Sequence, residues 1–488
     1  MDQRDAPLLD GLGHGRRRHR TGFGAPGHHL GAGAPADVRR ALGVALFRAD
    51  LATPKGADDR TETEQTVQRA HDLGAAAWGG TLCRYTAGGS TQSLHILLAA
   101  VARPGERVLF ARNAHKAEWS AAVFGRLDPV ALSVAVDPIW DVEHGVEPTA
   151  LEAALAAAPD VRAVVVVSPT YFGAVSDVAA LARIAHAHGV PLIVDAAWGA
   201  AFAFSDALPA NPMTLGADAM AVSVHKTMGA LGGGSALIAG GTLIDPDRLK
   251  LAYELFLTTS PSVPVLASID GVRRDAVLHG ERQWTAAVAL AGELRERLGA
   301  IDGIRVMGPE LVGQPGVHAI DPTKVTLDVA ALGISGYAAD DWLARERRVS
   351  VGLSDGRLLN LVISHGTTAR DARRVTSALK ALARHVRRHP GELPGPPSDA
   401  PSLSALSFDL AMPSADAFAA PAQLVRWEDA AGRIAAETIA PAPPGIPRLI
   451  PGQRITPEHV RWLVANRDAG MFVLDPIDPK QRQLRVVA

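Results

Sequence analysis

The stretch Ser223-Val224-His225-Lys226-Thr227, followed by Gly229 and the run Gly232-Gly233-Gly234, decides how this chain is read. A lysine framed by Ser-x-His and a glycine-rich turn is suited to hold an aldehyde cofactor as a Schiff base, with Ser223 and His225 beside it. Upstream, the apolar run Pro191-Leu192-Ile193-Val194 ends in Asp195. A carboxylate at the end of a buried strand is suited to keep a pyridine nitrogen protonated. Together Lys226 and Asp195 point to pyridoxal phosphate (PLP), whose chemistry depends on both partners. The pair restricts the reaction to the α-carbon of an amino acid. Taken singly, each has a plainer reading. Lys226 is then a surface lysine at a strand end, and Asp195 a cap on the next turn.

Further out, Gly89-Ser90-Thr91 follows a small-residue turn and opens an apolar helix running to Val101. Free N–H groups, the helix dipole and two hydroxyls suit a phosphate there, although an ordinary N-cap reads the same way. Ser223 adds a further hydroxyl. His115, in Arg112-Asn113-Ala114-His115-Lys116, begins a helix after a strand. It is placed either to stack on a cofactor ring and pass a proton, or simply to cap the helix. Trp198 walls a cofactor pocket or fills a core, and Ala197 is small enough to let a ring lie flat beside the strand.

The rest of the chain alternates. Arg107–Phe110, Val161–Ser168, Pro191–Asp195, Ala219–Val224 and Gly234–Ala239 read as strands. Glu64–Ala77, His115–Phe124 and Val178–His188 read as helices between them. That alternation predicts an α/β domain with a mostly parallel sheet. The β-branched run Val164–Val167 suits a strand buried on both faces. The expected organisation is an N-terminal arm over 1–45, irregular in structure, and a large cofactor domain over 46–300. A small α/β domain over 301–390, a Pro/Gly/Ser-rich linker over 391–402 and a small C-terminal domain over 403–488 follow.

Composition excludes several classes. The 488 residues carry a formal net charge of −2 and 47% hydrophobic residues, the balance of an ordinary soluble globular protein. Nothing in that balance calls for nucleic acid or a membrane as partner. The one basic run, Arg16-Arg17-Arg18-His19-Arg20, reads as a solvated arm. No apolar run is long enough to span a bilayer, and no secretory signal is evident. A single cysteine, Cys83, rules out an intrachain disulfide and fits a reducing cytoplasm. Among the 17 histidines, His28-His29 and His186-x-His188 lack a further ligand at metal spacing, so no metal is expected.

The motifs, in their order, resemble the Orn/Lys/Arg decarboxylases of PLP fold type I, in the short bacterial form without an N-terminal response-regulator-like domain. The resemblance runs through Ala25-Pro26-Gly27-His28, Arg112–Lys116, Ser168-Pro169-Thr170-Tyr171-Phe172-Gly173 and Val194–Trp198. It continues in Ser223–Thr227, Thr258-Thr259-Ser260-Pro261-Ser262, Gly432–Glu437 and Pro443-Pro444-Gly445-Ile446-Pro447. It implies an aspartate-aminotransferase-like large domain and decarboxylation of arginine, lysine or ornithine to the corresponding amine. Lys226 would carry the cofactor, Asp195 would pair with its ring nitrogen, and His115 would stack on the ring. Ser90, Thr91 and Ser223 would bind phosphate. Thr259 and Ser260 match a segment that reaches a neighbouring subunit's cofactor, so the resemblance implies a homodimer or larger homo-oligomer with composite sites.

The chain departs from the family at Gly88 and Leu94, where Asn is usual, and at Gly232-Gly233-Gly234, where Thr-Gln or Ser-Gln is usual. It departs again at Gly352, often Glu, and Ala442, usually Tyr. These positions lie on the substrate side. Transamination, oxidative deamination and a low-turnover PLP-binding paralogue therefore stand as alternatives to decarboxylation. A cationic substrate side chain calls for a carboxylate, and Asp355, Glu428 and Asp429 are the candidates.

Overall fold

The computed structural model describes residues 1–15, 24–51, 65–442, 445–474 and 476–488. The basic run 16–20, Glu64 and the Pro443-Pro444 pair lie outside the described residues. The chain divides into two compact units. The first comprises Met1–Val101, Ile193–Asp206 and Ala210–Gln283; the second comprises Ala102–Leu192, Ala207–Pro209 and Trp284–Ala488.

In chain order the first strands are β1 (Leu82–Thr86), β2 (Arg107–Ala111), β3 (Asp128–Leu132), β4 (Ala163–Val167), β5 (Ala174–Val175), β6 (Leu192–Asp195), β7 (Ala219–Val222) and β8 (Ser235–Ala239). In the first unit β7 runs parallel to β6 over Ile193–Asp195, and β8 pairs antiparallel with both β7 and β1. In the second unit β2 runs parallel to β3 and to β4. The fold is α/β with a mostly parallel sheet. Every residue of β4 and of β6 is buried, as their unbroken apolar sequences require.

A smaller antiparallel sheet in the second unit pairs Lys324–Asp328 with Leu358–Val362 and Arg305–Val306. The helix Ala369–Arg388 opens with a capping box between Thr368 and Asp371. Its buried stripe holds Ala372, Val375, Leu379, Leu382 and Val386, spaced by three and four residues. Near the C-terminus Ala422–Arg426 pairs antiparallel with Gln483–Val487. Trp427, Ile439, Leu449, Leu463, Val473 and Leu484 form the core there.

In its described residues the N-terminal stretch is not an irregular arm. It holds the helices Pro7–Gly15, Ala36–Leu42 and Val44–Ala49. Its beginning is tied to the helix Val263–Gly299 by a buried ion pair, Arg273 to Asp270 at 2.9 Å, both fully buried. Asp270 also accepts from the Leu8 N–H at 2.8 Å. Arg273 donates to the Gln3 carbonyl at 2.8 Å and to that of Asp5. Gly, Arg and His content alone gave no sign of partners so distant in sequence. Among the described residues no helix is long and apolar enough to cross a membrane.

Candidate active site

The parallel strands β6 and β7 end side by side, with Asp195 registered against Ala221. Ligands in α/β folds bind beyond the carboxyl ends of such strands. Asp195 stands at that edge, 3% exposed, and its Oδ1 accepts from the Ala197 N–H at 3.0 Å. Ala197 is buried and Trp198 half-buried just beyond it.

After β7 the chain turns at Ser223 into the short helix Val224–Thr227. His225 locks this turn to the glycine run. Its backbone N–H donates to the Gly234 carbonyl at 3.1 Å, and its Nδ1–H to the same oxygen at 2.8 Å. Burial lowers the pKa of His225, the Gly234 carbonyl opposes that, and the Lys226 charge lowers it further. A neutral ring with its proton on Nδ1 satisfies the geometry. Lys226 lies one residue on, its Nζ 4.5 Å from the centre of the Trp198 ring, a cation–π distance.

Gly89, with φ +70°, begins the helix Gly89–Val101. Its N–H donates to the Gly233 carbonyl at 2.8 Å. Gly233 must be glycine: its φ is +83°, and a Cβ would come within 2.5 Å of the Ala87 carbonyl oxygen. The Ser223 Oγ donates to the Ser90 Oγ at 3.0 Å. The lysine turn and the helix N-terminus are thereby joined, with Thr91 next in the helix. Around Gly89 the space is open: a Cβ there meets no atom within 4 Å.

The sequence reading missed the polar side chains that brace this corner. Gln92 accepts from the Gly88 N–H at 3.0 Å and donates to the Phe256 carbonyl at 2.8 Å. Ser93 links Thr86 at 3.2 Å to Ser235 at 2.9 Å, and Ser235 donates to the Val222 carbonyl at 2.8 Å. The only signal for this chain of hydroxyls was the abundance of Ser and Thr at strand ends.

Three other expected residues lie on other elements of the chain. Thr259 and Ser260 lie on the exposed loop after the helix Pro246–Phe256, where the Ser260 N–H donates to Thr258 Oγ1 at 3.3 Å. His115 belongs to the second unit and caps the helix Lys116–Phe124; its Nδ1 accepts from the Ala117 N–H at 3.2 Å. The neutral ring then carries its proton on Nε2. Gly445, at φ +90°, leaves room for it: a Cβ would fall 2.7 Å from His115 Nε2. Arg112 ties the same motif to the C-terminal turn, donating to the Pro447 carbonyl at 2.8 Å.

The three acids proposed for a substrate cation are not gathered into one cluster. The Asp355 carboxylate caps its own turn, accepting from the N–H groups of Arg357 at 2.7 Å and Leu358 at 2.6 Å. Desolvation pushes its pKa up to about 6. Glu428 is exposed and paired with Arg467 at 3.2 Å, and Asp429 is exposed beside it. Cys83 is buried, and burial holds its thiol protonated, well above the usual range.

The first-unit donor set fits PLP. A carboxylate, a lysine and a hydroxyl-bearing helix N-terminus with open space about Gly89 meet at one sheet edge. The described residues at this edge offer what an aldehyde, a basic ring nitrogen and a phosphate each require.

Comparison with known proteins agrees. The family model for the Orn/Lys/Arg decarboxylase major domain matches residues 6–371, and that for the C-terminal domain matches 407–470. An arginine decarboxylase of Bacillus subtilis (strain 168) is 32% identical over 487 residues, covering 100% of this chain and 99% of the relative. One from Halalkalibacterium halodurans is 34% identical, covering 99% and 98%. The lysine decarboxylase structure from Francisella novicida shares the fold, with TM-score 0.82 at 18% identity, covering 99% of this chain and 81% of the other. With both family models matched in order and relatives matched from end to end, the chain belongs to the Orn/Lys/Arg decarboxylase family.

Proposed function

We propose that this chain removes the α-carboxylate of arginine as carbon dioxide, with PLP as cofactor, and releases agmatine. The observation that carries the proposal is the 3.0 Å hydrogen bond from Ser223 to Ser90, which sets the lysine turn against a helix N-terminus. Arginine is favoured within the family's three substrates because the relatives from Bacillus subtilis and Halalkalibacterium halodurans described above are named arginine decarboxylase.

When bound, PLP supplies an electron sink for the pair left behind as a bond at Cα breaks. Lys226 would hold its aldehyde carbon and Asp195 its ring nitrogen. Ser90, Thr91 and Ser223, with the N–H groups that follow Gly89 in the first turn of the helix, would hold its phosphate. Asp195, oriented by the Ala197 N–H, would set its carboxylate against the ring nitrogen, placed before any bond breaks. Trp198 holds the Lys226 ammonium against its ring face. Carbon dioxide would leave without the bonding pair, and the vacated position on Cα would take a proton from Lys226, which, once the substrate amine has released it from the cofactor, is a free ammonium and becomes the amine as it donates. The role of His115, stacking on the ring, is proposed on its motif.

A homo-oligomer belongs to the same proposal. Leu251 and Leu255, one turn apart on the helix Pro246–Phe256, are 70% and 77% exposed, just before Thr259 and Ser260. A second copy would cover them. A cytoplasmic setting, suggested by the lone reduced cysteine, and a contribution to polyamine synthesis, suggested by the amine product, complete the reading.

The test is incubation of PLP-loaded protein with arginine, lysine and ornithine, following carbon dioxide, oxygen uptake, oxo acids and amines together. The expected result is agmatine and carbon dioxide in equal amounts, without oxygen uptake. Oxo acid with pyridoxamine phosphate, or oxygen consumption, would overturn it in favour of another PLP reaction.

A further inference from the structure

The last turn of the helix Ala369–Arg388 brings together side chains that the proposed decarboxylation does not use. His385 and His389 are one turn apart, their ring centroids 4.9 Å apart and inclined by 32°. Gly391, at φ +79°, reverses the chain after the helix. Glu392 then returns over the two rings, its N–H donating to the His389 carbonyl at 3.3 Å. Its Oε1 lies 3.5 Å from His385 Nε2, and its Oε2 lies 3.6 Å from His389 Nδ1. His385 Nε2 is sealed from solvent and makes no hydrogen bond. Among the described residues this is the one set of three such side chains whose ligand atoms all lie within 4.8 Å of one another.

We propose that His385, His389 and Glu392 form a binding site for a zinc ion. Ligand atoms on a tetrahedron with zinc–nitrogen and zinc–oxygen bonds of ~2.0–2.1 Å stand about 3.4 Å apart. Each ring nitrogen already stands near that spacing from one carboxylate oxygen of Glu392, Oε1 for His385 and Oε2 for His389, and one ligand atom from each of the three residues falls within 4.8 Å of the others. Two imidazoles and one carboxylate, with water in the fourth position, are a zinc donor set; calcium and magnesium demand more oxygen ligands. The helix C-terminus contributes partial negative charge. The surrounding cavity, about 650 Å³, is also lined by Arg345, Arg347, Arg384 and Arg388 and by the acids Asp341 and Glu346. Arg345 is neutralised by Asp341 at 2.8 Å, and Arg347, Arg384 and Arg388 outnumber the remaining acid Glu346 and oppose a cation. That opposition favours an ion held by strong nitrogen bonds over one held by charge alone. Bound zinc would clamp the turn at 390–392 onto the helix end.

The experiment uses the full chain with PLP bound and free PLP removed, stripped of metal by a chelator and then dialysed against zinc chloride. Zinc bound per chain is measured in the parent, in His389→Ala, in Glu392→Gln and in the double variant His385→Ala/His389→Ala. The expected result is one zinc in the parent that the double variant lacks, with affinity reduced about tenfold or more in each single variant. Cobalt(II) in place of zinc should give the visible bands of a four-coordinate site in the parent alone, and decarboxylation should be equal in all four proteins. Equal zinc binding by parent and Glu392→Gln, or none by the parent, would overturn the site. Glu392 is half exposed, so its variant decides the question even where loss of a histidine disturbs the helix.

Discussion

The Oγ of Ser223 lies 3.0 Å from the Oγ of Ser90, across 133 residues of sequence. One end of this bond belongs to the turn that carries Lys226, the other to the first turn of the helix Gly89–Val101. A phosphate bound at that helix would meet both hydroxyls. Ser223→Ala or Ser90→Ala should each weaken PLP retention about tenfold, the worth of a hydrogen bond of about 1.4 kcal/mol. Because the two hydroxyls share one bond, the double variant should lose less than the sum of the two. Equilibrium dialysis against PLP measures this.

Asp195→Ala should leave the fold intact and lower turnover by about 10²-fold or more, since the preorganised charge beside the ring nitrogen is removed. Thermal unfolding and initial rates on one preparation separate the two effects. A variant with the parental rate removes Asp195 from the mechanism.

His71 sets an acid limit on stability. Its ring is buried, edge-on to Tyr85 at 5.2 Å, and desolvation, with the nearby Arg84 charge, pushes its pKa down to about 3. Unfolded, a histidine titrates near ~6.5. Between these values the unfolded chain binds the proton that the folded chain refuses. The contribution is therefore complete above the unfolded pKa and is lost progressively as pH falls toward 3. His71→Phe should flatten the fall in stability between about pH 6.5 and pH 4 by a few kcal/mol at most. Urea midpoints across that range provide the check, and an unchanged slope would count against a neutral buried ring.

Arg273→Ala should destabilise the protein by about 3–5 kcal/mol, because it leaves the fully buried Asp270 carboxylate unpaired. It also removes the donor to the Gln3 and Asp5 carbonyls. Hydrogen exchange at residues 3–8 should rise with it. Exchange unchanged at those amides would show that the segment is held by other contacts.

Much of the architecture is legible in the sequence because its signals are local. Strand β4 is an unbroken run of Ala and Val, and buried β-branched residues leave few alternatives. The helix Ala369–Arg388 shows its capping residues and its apolar stripe directly. The candidate site is legible only in part, because its bracing is non-local. Nothing near Ser93 indicates that its hydroxyl meets that of Ser235, 142 residues away. Nothing near His115 indicates that Gly445 must lack a side chain for the ring to fit. The anchoring of the N-terminal stretch is hidden for the same reason: its partner, Arg273, lies 270 residues beyond Gln3. His385 and His389 are a local pair, one helical turn apart, but Glu392 reaches them only through the reversal at Gly391.

The most direct test of the account is the covalent attachment point of the cofactor. The protein is loaded with PLP, treated with borohydride to reduce any bond between cofactor and amine, digested and mapped by mass. The account predicts the added mass on the peptide containing Lys226, and its disappearance together with arginine decarboxylation in Lys226→Ala. Label on a different lysine, or a Lys226→Ala protein that still carries reducible PLP and decarboxylates arginine at the parental rate, would contradict it.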